Sequence, residues 1–257
     1  MSYQTGIGQR TAVVTGGGSP RSIGYATARR YAQEGWAVAV LDINGEGAIA
    51  VADELTSEFG VPASPHQVDV THSSTVDRVA REIAASALPP VGALANIAGI
   101  PSPVSFLDVD DDLWAKVIGI NLTGVFYACR AFLPDMLENG YGRIVNMSSV
   151  SAQQGGGVFS KTPYSAAKAG VLGLTRSLAR EMAEHGITVN AVAPGVVDTN
   201  IRAGSTEEEE RALSASVPMR RQAKPEEIAA LCVWLSSEDA AYITGTTQSI
   251  NGGSYIS

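Results

Sequence analysis

The stretch TGGGSPRSIGYATARR, Thr15 to Arg30, follows a short apolar run and opens a longer amphipathic one. It fits either a glycine loop that cradles a phosphate or a tight turn between a strand and a helix, because both want the same residues. In open α/β sheets, ligands bind beyond the C-terminal ends of the strands, near the point where strand order reverses. This stretch falls at such an end. Gly16 and Gly18 let the backbone approach a pyrophosphate closely, while a helix starting near Ile23 offers free N–H groups and the positive end of its dipole. Gly24 lets that helix pack tightly against its neighbours.

Outward from the loop, β-rich runs alternate with longer amphipathic ones to the C-terminus, with no linker or low-complexity break. The alternation predicts an α/β fold: a mainly parallel, seven-stranded sheet with helices on both faces. Strands are expected from Thr11 to Thr15, Ala37 to Leu41, Ser64 to Val68, Ala93 to Ile97, Arg143 to Met147, Thr188 to Ala193 and Thr247 to Ile250. The clearest helices run from Ile23 to Glu34, Ser73 to Ala87, Leu113 to Glu138, Tyr164 to Glu184 and Glu226 to Ser236. The segment from Pro194 to Pro225 breaks the pattern with Pro218 and the acidic run Glu207 to Glu210. It reads as a solvated excursion or as a lid over a ligand, a role often taken by long insertions in compact α/β domains.

With 257 residues, 45% of them hydrophobic, the chain can bury one large core, so residues 1–257 read as a single domain. A formal net charge of −8 with only short basic clusters offers no surface to a polyanion, and nucleic acid is not an expected partner. Cys129 and Cys232 lie in apolar segments with helical spacing and form no paired framework, which suits a reducing compartment. The opening MSYQTGIGQR lacks the apolar stretch of a signal peptide, and no later apolar run reads as long enough for a membrane span. A soluble, cytoplasmic protein with no membrane partner is expected.

Two carboxylates extend the reading of the loop. Asp42 follows the second strand, where an acid would accept hydrogen bonds from the ribose hydroxyls of NAD and repel the 2′-phosphate of NADP. A helix cap in LDINGEG is the other reading, and Arg21 could offset the repulsion; NAD is favoured over NADP. Asp69, in HQVDVTH, would meet an adenine edge or cap the next helix. Further on, TPYSAAKAGVLGLTRSLAREM places Tyr164 and Lys168 at i and i+4, on one helix face with Cβ atoms about 5–6 Å apart. To act as a base near neutrality, a tyrosine of pKa about 10 must drop by roughly two to three units. One lysine charge at about 5 Å, with an effective dielectric of about 20, supplies roughly 3 kcal/mol toward this. A Tyr-x-x-x-Lys pair also occurs on merely solvated helices. Here GRIVNMSSVSAQQGGG precedes it, a buried strand ending in serines that brings Ser149 to the C-terminal edge of the sheet. Asn96 and Asn121 are amides amid apolar sequence and must be hydrogen-bonded; for Asn96, tying adjacent strands together is the simpler reading.

In order and spacing, TGGGSPRSIG, the VDV of Val68 to Val70, NIAG at Asn96 to Gly99, INLTGVF, VNMSS, YSAAK, VAPGVVDT at Val192 to Thr199 and ITGTTQSINGG at Ile243 to Gly253 closely resemble the motifs of the short-chain dehydrogenase/reductases. The resemblance is to their shorter single-domain branch, that of the 3-oxoacyl-acyl-carrier-protein reductases, and covers nearly the whole chain. It implies a Rossmann-type doubly wound fold and an NAD(P)-dependent oxidoreductase interconverting a secondary alcohol and its ketone. It also implies a small-molecule substrate, no metal, and assembly as a homotetramer or homodimer through the helices holding Asn121 and Tyr164. Carried onto this sequence, Tyr164 would be the catalytic acid/base, Lys168 its partner and the holder of the nicotinamide ribose, Ser149 the orienter of the substrate oxygen, and Asn121 the holder of a relay water. Gly16, Gly18, Ser22, Ile23, Gly24, Asp42, Asp69, Val70, Asn96, Ala98, Gly99, Pro194, Gly195, Val197 and Thr199 would line the cofactor together with Tyr164 and Lys168.

The chain departs from the family's pattern in three places. Its glycine loop is two residues longer than Thr-Gly-x-x-x-Gly-x-Gly, with Ser22 replacing a glycine. This resembles the enoyl-acyl-carrier-protein reductases, but that branch places its tyrosine seven positions before the lysine, where this chain has Lys161. Ile97 stands where a second asparagine is common. The interval from Ser149 to Tyr164 is two residues longer than usual, so Ser151 has the common spacing, while Ser149 directly follows the strand and matches VNMSS; Ser149 is the expected residue. The pocket walls expected at Val150 to Thr162, Ile100 to Phe106 and the lid from Val196 are small and weakly polar, with Arg202 the one nearby cation of plausible reach. A neutral secondary alcohol, polyol or ketone is the expected substrate, and 3-oxoacyl thioester reduction the alternative. A non-catalytic dinucleotide sensor is the reading from another class.

Overall fold

The computed structural model describes residues 9–157, 160–200 and 206–256. The strands are β1 (Thr11–Thr15), β2 (Ala37–Asp42), β3 (Ala63–Gln67), β4 (Val91–Asn96), β5 (Gly142–Met147), β6 (Ile187–Pro194) and β7 (Thr247–Ile250). Every residue of β1, β4, β5 and β6 is buried. Strands buried on both faces belong in the middle of a parallel sheet covered by helices. All pairings are parallel, in the order β3-β2-β1-β4-β5-β6-β7. The chain therefore reverses its winding between β1 and β4, which opens a crevice beyond Thr15 and Asn96, neighbours in register.

The helices are α1 (Ile23–Gln33), α2 (Gly45–Phe59), α3 (Ser73–Ala84), α4 (Asp111–Ile118), α5 (Gly124–Glu138), the single turn α6 (Ser151–Gln154), α7 (Thr162–Met182), α8 (Glu207–Ser216) and α9 (Pro225–Leu235). Side chains alternate along the strands and so feed two layers. Val13, Leu41, Leu94 and Ile144 meet Val79 of α3, Phe132 of α5 and Val171 of α7. On the other face, Val14, Val38 and Val40 meet Tyr31 of α1 and Leu55 of α2, while Val145 and Val192 meet Ile228 and Cys232 of α9. Both cysteines are buried and free, and burial pushes their thiols up to about 12, which leaves them protonated and unreactive.

The expected strands and helices are present, with shifted ends. β3 starts one residue earlier than expected because Ala63 pairs with Val38, and its Pro65 is tolerated on this edge strand. β4 starts at Val91, whose N–H is held by Asp135 Oδ2 at 2.8 Å. The helix expected from Leu113 to Glu138 is instead α4 and α5 joined by a π turn, Gly119–Thr123, in which Gly124 N–H reaches back to the Gly119 carbonyl. Contrary to the sequence expectation, Asp111–Glu138 is apolar and long enough to cross a membrane by composition. Here it is a core element, with Val125, Phe132 and Met136 buried against the sheet. The excursion after β6 contains α8, where the acidic run forms the first turn behind a Thr206–Glu209 capping box, a placement the helix dipole favours.

Phe132 is 1% exposed at the junction of α3, α5 and α7 with the sheet. Phe132→Ala is expected to lower the unfolding free energy by about 3–5 kcal/mol, seen as a fall in urea midpoint at unchanged m-value.

Candidate active site

The glycine loop is shaped by its own backbone contacts. Gly16 takes the left-handed conformation at φ +72°, and a Cβ there would sit 2.9 Å from Ala98 Cα. A Cβ on Gly24 would overlap the Gly16 carbonyl, so the third glycine serves the approach of α1 to the loop itself. Ser22 caps α1: its hydroxyl accepts from Tyr25 N–H at 3.0 Å and donates to the Gly16 carbonyl at 3.4 Å. Asn44, not Asp42, caps α2, and Asp42 supports the loop and borders a cavity. Its Oδ2 accepts from Gly18 N–H at 2.8 Å and its Oδ1 from Asn44 N–H at 2.9 Å, while the carboxylate borders a cavity of about 430 Å³ with Gly16, Asp69, Val70, Ala98 and Gly99. Arg21 does not offset the charge of Asp42. It turns to Asp198, 3.1 Å away, and the neighbouring Pro20 carbonyl accepts from Asn200 Nδ2 at 2.6 Å.

Asp69 makes the turn before α3, accepting from the Thr71 N–H at 2.9 Å and the Thr71 hydroxyl at 2.7 Å. Partial burial pushes this carboxyl up, but the Thr71 donors and nearby His72 outweigh it and hold it below the usual carboxylate range. Asn96 takes its strand-tying role: its Nδ2 donates to Asn146 Oδ1 at 2.9 Å in the buried core, and only its successors from Ile97 onward border the cavity.

At the end of β5 the candidate catalytic groups converge. Lys168 is 2% exposed, and its Nζ donates to the Met147 carbonyl at 2.8 Å. Ser148, a residue the sequence reading passed over, donates its hydroxyl to the Lys168 carbonyl at 2.9 Å. This reciprocal tie aligns α7 with the strand end, and the serine doublet in VNMSS was its one visible signal. Ser149, not Ser151, is the serine whose side chain acts on the Tyr164 hydroxyl, and it works to lower its pKa. The Lys168 ammonium lies 5.6 Å from the centre of the Tyr164 ring. Where the sequence reading expects the lysine to lower the tyrosine, burial in this structure raises Tyr164 above its ordinary value, against a lowering by the Ser149 side chain. Burial also pushes Lys168 down to about 8. Desolvation of both groups exceeds their mutual effect in this geometry.

Asn121 sits in the π turn. Its Nδ2 donates to the Ile100 carbonyl at 3.1 Å and to the Val117 carbonyl at 3.0 Å, so the amide orientation is determined. Its Oδ1 is buried with no protein donor. A Cβ on Gly99 would lie 2.7 Å from that oxygen and 3.5 Å from Lys168 Nζ. A buried acceptor left open beside an ammonium is a place for a water or a ligand hydroxyl.

A second cavity, about 460 Å³, opens in front of Tyr164 and Ser149. Pro194, Gly195, Val197, Thr199 and Ile23, expected to line the cofactor, border this cavity and not the one beside Asp42. Leu213, Ser216 and Pro218 border it from the segment expected as a lid, and Ser254, after β7, is the lining residue that the sequence reading missed. Of the wall expected at Ile100 to Phe106, only Pro101 borders it, and Phe106 is exposed. Arg202 lies outside the described residues, and among those described no charged side chain lines this cavity.

The chain belongs to the short-chain dehydrogenase/reductase family. The family model described as enoyl-(acyl carrier protein) reductase matches residues 16–255. The chain is 41% identical over 248 residues to an acetoacetyl-CoA reductase of Rhizobium meliloti, covering 96% of this chain and 99% of that one. It is 36% identical over 246 residues to the 3-oxoacyl-(acyl-carrier-protein) reductase FabG of Aquifex aeolicus, covering 96% and 97%. A (3R)-3-hydroxyacyl-CoA dehydrogenase of Mus musculus is 34% identical over 263 residues, with both chains covered completely. The protein is thus an oxidoreductase acting between hydroxyl and keto groups.

The family implies an NAD(P) cofactor, and the residues present fit one. The glycine loop offers N–H groups to phosphates, the 430 Å³ cavity ends in an acid, and the open acceptor of Asn121 lies beside Lys168. The dinucleotide, when bound, supplies or accepts the hydride. Among the described residues lining the second cavity, Tyr164 is the one with a titratable side chain.

Lys168 loses its proton near pH 8 when folded, against about 10.4 when unfolded. Between those values the unfolded chain binds more protons, so stability rises with pH through this window. Urea titrations from pH 7.5 to 10 are expected to show the unsubstituted protein gaining stability relative to Lys168→Met; a parallel pH dependence would contradict the assignment.

Proposed function

We propose that the protein is an NAD-dependent reductase of 3-oxoacyl thioesters, working in the cytoplasm as a homo-oligomer. The observation that carries this reading is Tyr164, sharing a cavity wall with Ser149 and placed beside Lys168, where the described lining is uncharged. A neutral keto group can approach it without desolvating a competing charge. The thioester class is supported by relatives named for acetoacetyl-CoA and for 3-oxoacyl and 3-hydroxyacyl thioesters. The small, weakly polar lining also supports a neutral secondary alcohol or polyol as a second reading. Enoyl reduction is not supported: Lys161 stands at that branch's tyrosine position, and its Nζ donates to Ser105 Oγ at 3.0 Å. Oligomerisation through the long helices is supported by Phe126, 44% exposed on α5, with the Arg130 guanidinium stacked on it.

Tyr164→Phe is expected to keep thermal protection by the dinucleotide while losing about 10²- to 10⁴-fold in turnover of acetoacetyl-CoA. Retained turnover would remove Tyr164 from its role, and protection without turnover in the unsubstituted protein would favour a sensor. The preference for NAD rests on Asp42 facing the cavity while Arg21 is paired with Asp198. Asp42→Ser is expected to shift the NADP(H)-to-NAD(H) ratio of kcat/KM at least about tenfold toward NADP(H), because a carboxylate no longer meets the 2′-phosphate. An unchanged ratio places Asp42 in loop support alone.

A further inference from the structure

Ser151 and Ser160 form a hydroxyl pair, Oγ to Oγ 2.7 Å, and both residues border the cavity in front of Tyr164. Ser151 is 4% exposed, and its N–H donates to Ser149 Oγ at 3.1 Å, so the pair stands beside the Ser149–Tyr164 pair. The lengthened stretch between Ser149 and Tyr164 builds this arrangement. After α6 the backbone turns through Gly155 and Gly156, both at positive φ, and Gly157 N–H reaches the Ser160 carbonyl at 2.7 Å. Ser160 bridges to Ser102, and Lys161 N–H donates to the Ser102 carbonyl at 2.8 Å. The extra chain is therefore tied down at both ends, and it holds a hydroxyl against the cavity.

Two hydroxyls bonded to each other use one proton and one lone pair between them. One proton and three lone pairs remain. With no charged side chain among the described lining residues, the oxygen that suits this pair is neutral. Resting on the reading of the site as a 3-oxoacyl thioester reductase, the geometry points to Ser151 and Ser160 as specificity-determining residues that hold the substrate's second oxygen, the thioester carbonyl, while Ser149 and Tyr164 hold the reacting one. A substrate lacking that oxygen leaves the pair with an unmatched polar group, the situation in which polar sites discriminate most strongly.

The test compares two ketones: S-acetoacetyl-N-acetylcysteamine and the thioether in which its C1 carbonyl is replaced by a methylene. Both are measured with NADH and with NADPH on the unsubstituted protein and on Ser151→Ala, Ser160→Ala and Ser151→Thr. In each alanine variant the thioester-to-thioether ratio of kcat/KM is expected to fall about five- to twentyfold, mainly through KM, and the threonine variant, which keeps the hydroxyl, is expected to retain it. Thermal protection by the dinucleotide reports that each variant is folded. A ratio unchanged in folded alanine variants, whether both activities fall or neither does, overturns the assignment. If the unsubstituted protein reduces neither compound, the thioester reading fails and this assignment with it; if it reduces the thioether equally well, only the assignment fails.

Discussion

The bond from Lys168 Nζ to the Met147 carbonyl, returned by the Ser148 hydroxyl to the Lys168 carbonyl, joins the end of β5 to the first turns of α7. Both partners are buried, so water cannot substitute for either bond and the register of helix on strand is held. Ser149 follows on the strand side and Tyr164 stands one helical turn before Lys168, which brings both to the wall of one cavity. Gly99 approaches the same ammonium from β4, and Asn121 approaches from the π turn. The catalytic geometry is thus a property of where a strand ends relative to a helix rather than of any flexible segment.

On the other side of the crevice, the longer glycine loop shows how two added residues are accommodated without disturbing its base. Gly16, Ser22 and Gly24 keep tight mutual contacts, while Pro20 and Arg21 extend outward to Asn200 and Asp198 after β6. The Arg21–Asp198 pair is exposed at both ends and contributes little stability. Its significance is positional: it directs a guanidinium away from Asp42.

Periodicity was enough to read the sheet, because central parallel strands are apolar on both faces and their runs in VVT, AVAVL and TVNAVA stand out from the helices. The nearness of Tyr164 to Lys168 was legible from spacing, and the place of Ser149 from the strand end. Electrostatic direction was not: a pairwise estimate for Tyr164 omits the burial that raises the phenol and lowers the ammonium. The excursion after β6 was legible as a cavity wall, but α8 within it was not legible as a helix, since none of its residues is buried and four glutamates open it. Asn96 and Asn121 look alike in sequence, both amides in apolar runs with a buried, unpartnered Oδ1, yet the Nδ2 of one ties strands at Asn146 while that of the other ties the π turn to the Ile100 and Val117 carbonyls. Only the backbone register separates them.

That register depends on the π turn. In a regular α-helix each residue advances about 100° around the axis, and a single π turn amounts to one extra residue accommodated without breaking the helix. Asn121 occupies this extra turn, with its amide bonded to the Val117 carbonyl. The faces that α4 and α5 present are therefore offset from one another, and chain length within Gly119–Thr123 matters in a way that side-chain identity does not. Removing one residue there would restore an unbroken helix and at the same time rotate either the core side of α5 or the Asn121 amide out of place. Single-residue deletions in this stretch should accordingly be far less tolerated than substitutions at its half-buried positions, such as Ile120 and Thr123, an asymmetry set by helical geometry.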